Sequence, residues 1–289
     1  YADETIGETR ILYHHKNGIG NNPENTRLVI IVENKGEEVA TVQKLKQGTM
    51  GPSDDILHLG QQAGFQYFNS SPTGRLVLEP NQKQYIYDTG DRNWKYDQTF
   101  SGLLELSSDQ PVHITVAAVD KSFKLEEIET LTVLPRDGIH TRGTFEQGNI
   151  YYHIGLPEDR PSKIMFGQRE DEMDSWTDGY DALTGEIVQN KGNYGMVYEV
   201  NIAASEKTGI TINPRGTSFK GVFQWQDDTS YLAPERGMFI GSQKSAIAGI
   251  INGGTTRKLN YMLPNGSSAP VLFNFIPEEF WDDYEMNEQ

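Results

Sequence analysis

Thr26-Arg-Leu-Val-Ile-Ile-Val-Glu-Asn34, closed by the turn Asn34-Lys35-Gly36-Glu37 and followed by the run Val39 to Leu45, decides the fold class. β-Branched residues crowded into a short run and ended by Asn and Gly read as strand, turn, strand. Working outward, Arg10 to His15 gives a short strand, while residues 1 to 8 are polar and carry no period. Leu76 to Leu78, the turn at Pro80-Asn81 and Gln84 to Tyr87 form another short pair. Thr99 to Leu106 and Val112 to Val119 add two alternating strands. One segment breaks the pattern: Pro52-Ser53-Asp54-Asp55 is a helix start, with Ser53 as the cap and two acids on the positive end of the dipole. Ile56, Leu59/Gly60, Ala63 and Tyr67 then share a face at helical spacing. The first unit is therefore expected to be an immunoglobulin-like β-sandwich with one short helix near residues 53–69.

Lys121 to Leu134 is charged with interleaved apolar residues, and Pro135-Arg136-Asp137-Gly138 breaks the chain. This places a boundary between domains 1–135 and 136–289. The second half offers strands at Asn149–Ile154, Lys163–Phe166, Tyr194–Ala203, Gly209–Ile212, Phe219–Trp225, Met238–Ile240, Ala246–Ile251, Arg257–Leu263 and Pro270–Ile276. Their even spacing, with Gly, Asn and Pro between them and no helical period, predicts a second β-sandwich. The whole reads as all-β.

Composition narrows the setting. The chain has 289 residues, enough for two cores, and a net charge of −16, which disfavours nucleic acid and anionic membrane as partners. There is no cysteine, so neither a disulfide framework nor a thiolate nucleophile is available. The chain starts at Tyr1 and shows no apolar run near 18 residues, so a processed, exported protein without membrane insertion is the expectation.

Glu170 to Glu186 holds seven acids and no base, punctuated by Gly179 and Gly185. Such a loop can wrap oxygens around a hard cation, and Asp171, Asp174, Asp178 and Asp181 are the candidate calcium ligands. The spacing is not that of an EF-hand, since the third position would be Trp176. A solvated acidic loop whose Trp176 and Tyr180 pack down on the sandwich is the alternative. Trp94, Trp176 and Tyr180 lie in loops and are candidates for stacking on glycan or for a subunit contact, whereas Trp225 shares a face with Phe219, Gly221 and Phe223 and reads as core. His14 and His15 point to opposite faces of a strand and cannot chelate one ion together. No Gly-x-Ser-x-Gly, His-Glu-x-x-His or P-loop occurs, so no enzyme is expected.

Asp181-Ala-Leu-Thr-Gly-Glu186, Asn190-Lys-Gly-Asn-Tyr-Gly195, Asn213-Pro-Arg-Gly216, Phe219-Lys-Gly221 and Tyr261-Met-Leu-Pro-Asn-Gly-Ser267 resemble secreted proteins of bacilli and their relatives that carry the label copper amine oxidase N-terminal domain-containing. Ile11-Leu-Tyr-His-His15, Gly51-Pro-Ser53 and Thr115-Val-Ala-Ala-Val-Asp120 extend the resemblance over most of the chain. It implies export and residence at the surface or in the matrix of a Gram-positive cell, and no oxidase chemistry. The acidic tail 278–289 and the polar start are ordered only if something holds them, because ordering costs ~1–2 kcal/mol per residue of backbone entropy. Copies of the same chain are the expected partners, with residues 1–13 as a donated strand and 278–289 second. The expected function is a non-enzymatic, self-assembling surface or matrix protein; the alternative is a monomeric module binding cell-wall glycan.

Overall fold

The computed structural model describes every residue except 168–173, 216–217, 228, 240, 242–244, 285 and 287–289. The described chain is built of β-strands with a single α-helix. The deciding run becomes strand β2, and its lack of alternation has a direct cause. Preceded by β1 (Ala2–Lys16), β2 (Thr26–Glu33) is covered on both faces. Leu28, Ile30 and Val32 enter one core, and Val29 and Ile31 enter another with Phe123 and the half-buried Leu125, Ile128 and Leu131. The charged stretch from Lys121 is thus a flap over the outer face of β2, and each aliphatic side chain it covers contributes ~1.5–3 kcal/mol relative to exposure.

Five further elements complete the first half: β3 (Ala40–Ser53), α1 (Ile56–Asn69), β4 (Gly74–Leu78), β5 (Lys83–Asp88) and β6 (Thr99–Asp120). The two strands expected after Thr99 are one. β6 is the central strand of the sheet β4-β3-β6-β2-β5, with β3 on its first part, β2 on its last part, and β1 along its other edge. Pro111 does not end it, because the register slips there: on β1 the step from Thr5 to Gly7 faces the step from Val112 to Ser108. The surplus residues bulge, so the N–H that proline lacks is not needed, and Gly7 answers with a left-handed φ of 75°. Leu28, Val42, Ile86, Leu104 and Trp94 meet in one core, so the two layers of this half belong to a single bent sheet.

Beyond residue 148 the strands form two facing sheets and a hairpin. The first sheet contains β7 (Asn149–Gly155), β11 (Val197–Ala204), β13 (Gly221–Trp225), β14 (Ser230–Ala233) and β16 (Thr255–Met262), in the order β14-β13-β16-β11-β7. The second contains β8 (Ser162–Phe166), β12 (Thr208–Pro214), β15 (Ala246–Ile251) and β17 (Val271–Pro277), in the order β15-β12-β17-β8. Tyr198, Val200, Phe223, Trp225 and Tyr261 from one meet Phe166, Ile210, Ile212, Phe273 and Phe275 from the other. β9 (Thr177–Tyr180) and β10 (Ile187–Asn190) pair as a hairpin inside the acidic stretch, where no strand is expected from the sequence. The expected strand at Met238–Ile240 is only a bridge between Phe219 and Phe239, and Ile240 lies outside the described residues.

Helix α1 lies between the halves. Its cap is Asp55, whose Oδ1 accepts from the His58 N–H at 2.9 Å, while Ser53 accepts from the N–H of Asp55 one step earlier. The expected single apolar face is too narrow: Leu57, Leu59, Gly60, Gln61, Ala63, Gly64, Tyr67 and Phe68 are buried and Ile56 is exposed. Sheets press on the helix from both sides. Tyr67 and Phe68 pack with Leu103 of β6 and with Val197, Val222 and Met262 of the second half. The Gln61 amide donates to the carbonyls of Gly221 and Pro234, and Gln224 donates to the carbonyl of Phe68.

Candidate functional site

The start of the chain forms an edge strand that also fastens the two halves together. β1 pairs with β6 on one side only among the described residues. It sinks Tyr13 into the first core with Ile11 beside it, and its centre carries Arg10. Arg10 donates to Glu105 Oε2 from Nε and Nη2 at 3.0 and 2.8 Å, and to the Tyr67 hydroxyl from Nε at 2.8 Å. It also reaches the carbonyls of Gly148 and Gly195 and, at 2.9 Å, Asn149 Oδ1. One side chain therefore joins β1, β6, α1, β7 and the turn before β11. Arg and Glu are 12% and 15% exposed, dry enough for the pair to matter. Burial foremost pushes the Tyr67 phenol up, and its hydroxyl donates to Glu105 in the neutral form.

The first residues of β1 reach the acidic stretch. Asp3 Oδ2 accepts from the Thr144 hydroxyl and from the Tyr180 hydroxyl at 2.5 and 3.1 Å. The Tyr1 hydroxyl lies 2.7 Å from Thr144 Oγ1 and accepts from the Ala182 N–H. After Lys16 the chain runs through Asn17 to Asn22, where Gly18 to Asn22 are exposed and a Cβ on Gly18 or Gly20 would touch nothing. A long strand paired on one side only and an exposed stretch before the next strand are parts that strand exchange uses, and Asn17 between them is buried, its Nδ2 donating to the Pro23 and Trp94 carbonyls.

The residues singled out from the sequence are not gathered in one place. Asp171 lies outside the described residues. Asp174 is buried and accepts from the N–H of Gly167 and the hydroxyls of Tyr198 and Tyr152, at 3.2 and 3.4 Å for the two phenols. Burial, then the neighbouring Asp174, pushes the Tyr198 phenol up. Asp178 is exposed on β9 and takes the Gln189 amide. Asp181 is wholly buried and accepts from Nε and Nη2 of Arg142 at 3.0 and 2.8 Å, with Arg136 beyond. Its oxygens serve an ion pair, and the three described aspartates sit in three separate settings. Among the described residues no group of three or more His, Asp or Glu converges on a point.

Trp94 corrects its expected role. It is 1% exposed, stacks edge-on against Phe100 at 5.0 Å and donates from Nε1 to the Gln98 carbonyl, so neither ring face can receive a sugar. The loop that carries it folds inward. Trp176 is half-buried and donates to the Gly167 carbonyl at 3.1 Å, and Tyr180 keeps a partly exposed ring while its hydroxyl is held by Asp3. Asn190 to Gly195 is a built turn: Asn193 at φ 54° takes the Thr177 N–H on Oδ1 and donates to Ser175 and Tyr198, while Asn190 binds both polar backbone groups of Tyr194.

The Asp181 pairing sets an acid limit. Burial alone would raise its pKa, but the Arg142 hydrogen bonds and the Leu183 N–H outweigh it and the net shift is downward. A depressed folded value against an unfolded value near ~3.9 gives stability that is full above about pH 4 and is lost as pH falls through the folded value. Calorimetric midpoints measured from pH 6 to pH 2 are expected to fall in that window. In Arg142→Met the unfolding free energy is expected to be lower by about 1–3 kcal/mol near neutral pH, for the acceptor left without its donor, and the midpoint to depend less steeply on pH.

No family model matches the chain, and no curated protein does. Among solved structures, the PBSX exported protein XepA aligns at 8% identity over 96% of this chain and 86% of its own, with a TM-score of 0.20. An anti-sigma factor domain-containing protein aligns at 13% identity over 93% and 90%, with a TM-score of 0.17. A salicylate 1,2-dioxygenase from Pseudaminobacter salicylatoxidans aligns at 6% identity over 98% and 72%, with a TM-score of 0.15. These likenesses are too slight to carry an argument. No helix among the described residues is long and apolar enough to cross a membrane.

Proposed function

We propose that this is a non-enzymatic structural protein of the outside of a Gram-positive cell, and that copies assemble by exchanging strand β1. The observation that carries the reading is β1 itself: a fifteen-residue strand that pairs on one side only among the described residues, anchored to the core by few apolar residues and followed by an exposed glycine-containing connection. Backbone pairing to β6 and the Arg10 and Asp3 contacts are all remade when a neighbour's β1 takes the same place. Tyr180 then becomes a subunit contact through Asp3. Donation from each copy to the next is heterologous, so the product is a filament or a ring. The resemblance to secreted proteins of bacilli and the absence of cysteine support the extracellular setting.

Light scattering on a sizing column tests this reading. The intact chain is expected to populate high-order species. A chain lacking residues 1–16 is expected to stay unassembled and to bind one equivalent of a synthetic peptide of residues 1–16. An intact chain that stays monomeric at every concentration, or a deleted chain that assembles as before, would overturn it.

A further inference from the structure

We infer that the outer face of the sheet β15-β12-β17-β8 is a binding pocket for a single acidic sugar unit, such as a hexuronate. This face should meet solvent, yet Thr211, Asn213, Leu272 and Ile276 on it are buried. The cause lies in residues 278–284 and Met286, which fold back across the sheet. Trp281 donates from Nε1 to the Ile276 carbonyl at 2.9 Å and lies under the Lys207 ammonium, and Met286 packs on Gly209, where a Cβ would come within 2.5 Å of its Cε. Between this segment and the sheet a cavity of about 280 Å³ remains. It is just below the ~300–1,000 Å³ of cavities that hold drug-sized ligands, which suits one six-membered ring.

The lining is specific in chemistry. Asn213 and Asn274, one on each of the two central strands, line it with amides: the Asn213 Nδ2 donates to Ser245 Oγ at 3.2 Å, and the Asn274 Nδ2 holds the Thr211 hydroxyl at 3.0 Å, leaving the Asn274 side-chain carbonyl oxygen facing the lining. Leu272 supplies an apolar floor, and the half-exposed Tyr284 ring stands at the wall. Amides beside an apolar surface match the alternating hydroxyls and C–H faces of a sugar. No carboxylate is among the described lining residues, in a chain with 41 acids, and the cavity instead contains Arg215. Arg215 is exposed at the rim, and its planar guanidinium is the group in the lining that would pair with a sugar carboxylate. This site is separate from β1 and stands whether or not the chain assembles.

Titration calorimetry of the full chain with glucuronate, glucose and acetate tests the inference. Glucuronate is expected to bind about tenfold or more tightly than glucose, the difference being the charged hydrogen bonds of Arg215, and acetate is expected to give no saturable signal. Arg215→Gln, at an exposed position, is expected to bring glucuronate down to the level of glucose, while Asn274→Leu removes both. Glucuronate binding no stronger than that of acetate overturns the inference, as does an Asn274→Leu variant that folds with an unchanged melting midpoint and binds as the parent does.

Discussion

Arg10→Met is expected to lower the unfolding free energy by about 3–5 kcal/mol, the cost of leaving the carboxylate of a buried pair without its partner. Among the described residues Glu105 keeps only the Tyr67 hydroxyl, and the carbonyls of Gly148 and Gly195 lose a donor across the joint between the halves. Arg10→Lys should recover little, because one ammonium cannot hold a carboxylate, a phenol, an amide and two carbonyls at once. The double change Arg10→Met with Glu105→Leu should cost less than Arg10→Met alone, since no charge is then stranded. Urea unfolding followed by Trp fluorescence gives these differences directly. If Arg10→Met costs less than ~1 kcal/mol, the level of a surface pair, the joint is not what holds the halves together.

Gly60→Ala is expected to be destabilising in a place where helix propensity alone predicts a gain of ~1 kcal/mol. A Cβ on Gly60 would stand 1.8 Å from the carbonyl oxygen of Asn265, and that oxygen belongs to backbone. Asn265 cannot withdraw freely, because its Nδ2 donates to the Ser101 hydroxyl at 3.0 Å and to the Tyr13 carbonyl at 3.3 Å, within the first sheet. Overpacking costs ~1–3 kcal/mol even where side chains can yield, so the net effect at this backbone contact should be at the upper end or beyond. Gly64→Ala meets the Val222 Cγ1 at 2.7 Å, a side chain with some room to move, and should cost less. Thermal midpoints ranked parent, Gly64→Ala, Gly60→Ala would bear out the close packing of α1. A rise in the midpoint of Gly60→Ala would show that the helix is not wedged there.

These two sites show what kind of information sequence carries. β2 was readable because its own side chains need burial on both faces, and burial leaves a local mark in hydrophobicity. β1 was readable only from Arg10 onward, since Ala2 to Gly7 are held by pairing with β6 and by Asp3 and Tyr1, which leave no period. Thr99 to Leu106 and Val112 to Val119 read as two strands because sequence cannot show that the opposite strand has slipped at Pro111. Asp181 looked like an acid free for calcium because its partner, Arg142, is 39 residues away, beyond any spacing rule. Trp94 looked exposed because it stands in a loop, yet that loop turns into the core. Gly60 and Gly64, four apart in a helix, are the local mark of a closely packed face, Gly60 against the Asn265 backbone and Gly64 against the Val222 side chain.

Whether β1 rests on its own β6 or on a neighbour's decides the account, and a chain without cysteine is well suited to ask. Glu8 and Ser107 face each other across β1 and β6, and cross-strand pairs have Cβ atoms ~4.5–5.5 Å apart, close enough for a disulfide after a small adjustment. The chain carrying Glu8→Cys and Ser107→Cys is oxidised after assembly and run on a denaturing gel without reductant. Exchange predicts a ladder of covalent multimers that collapses to one band on reduction. A single monomer band carrying the closed disulfide, from material that had assembled, would contradict it.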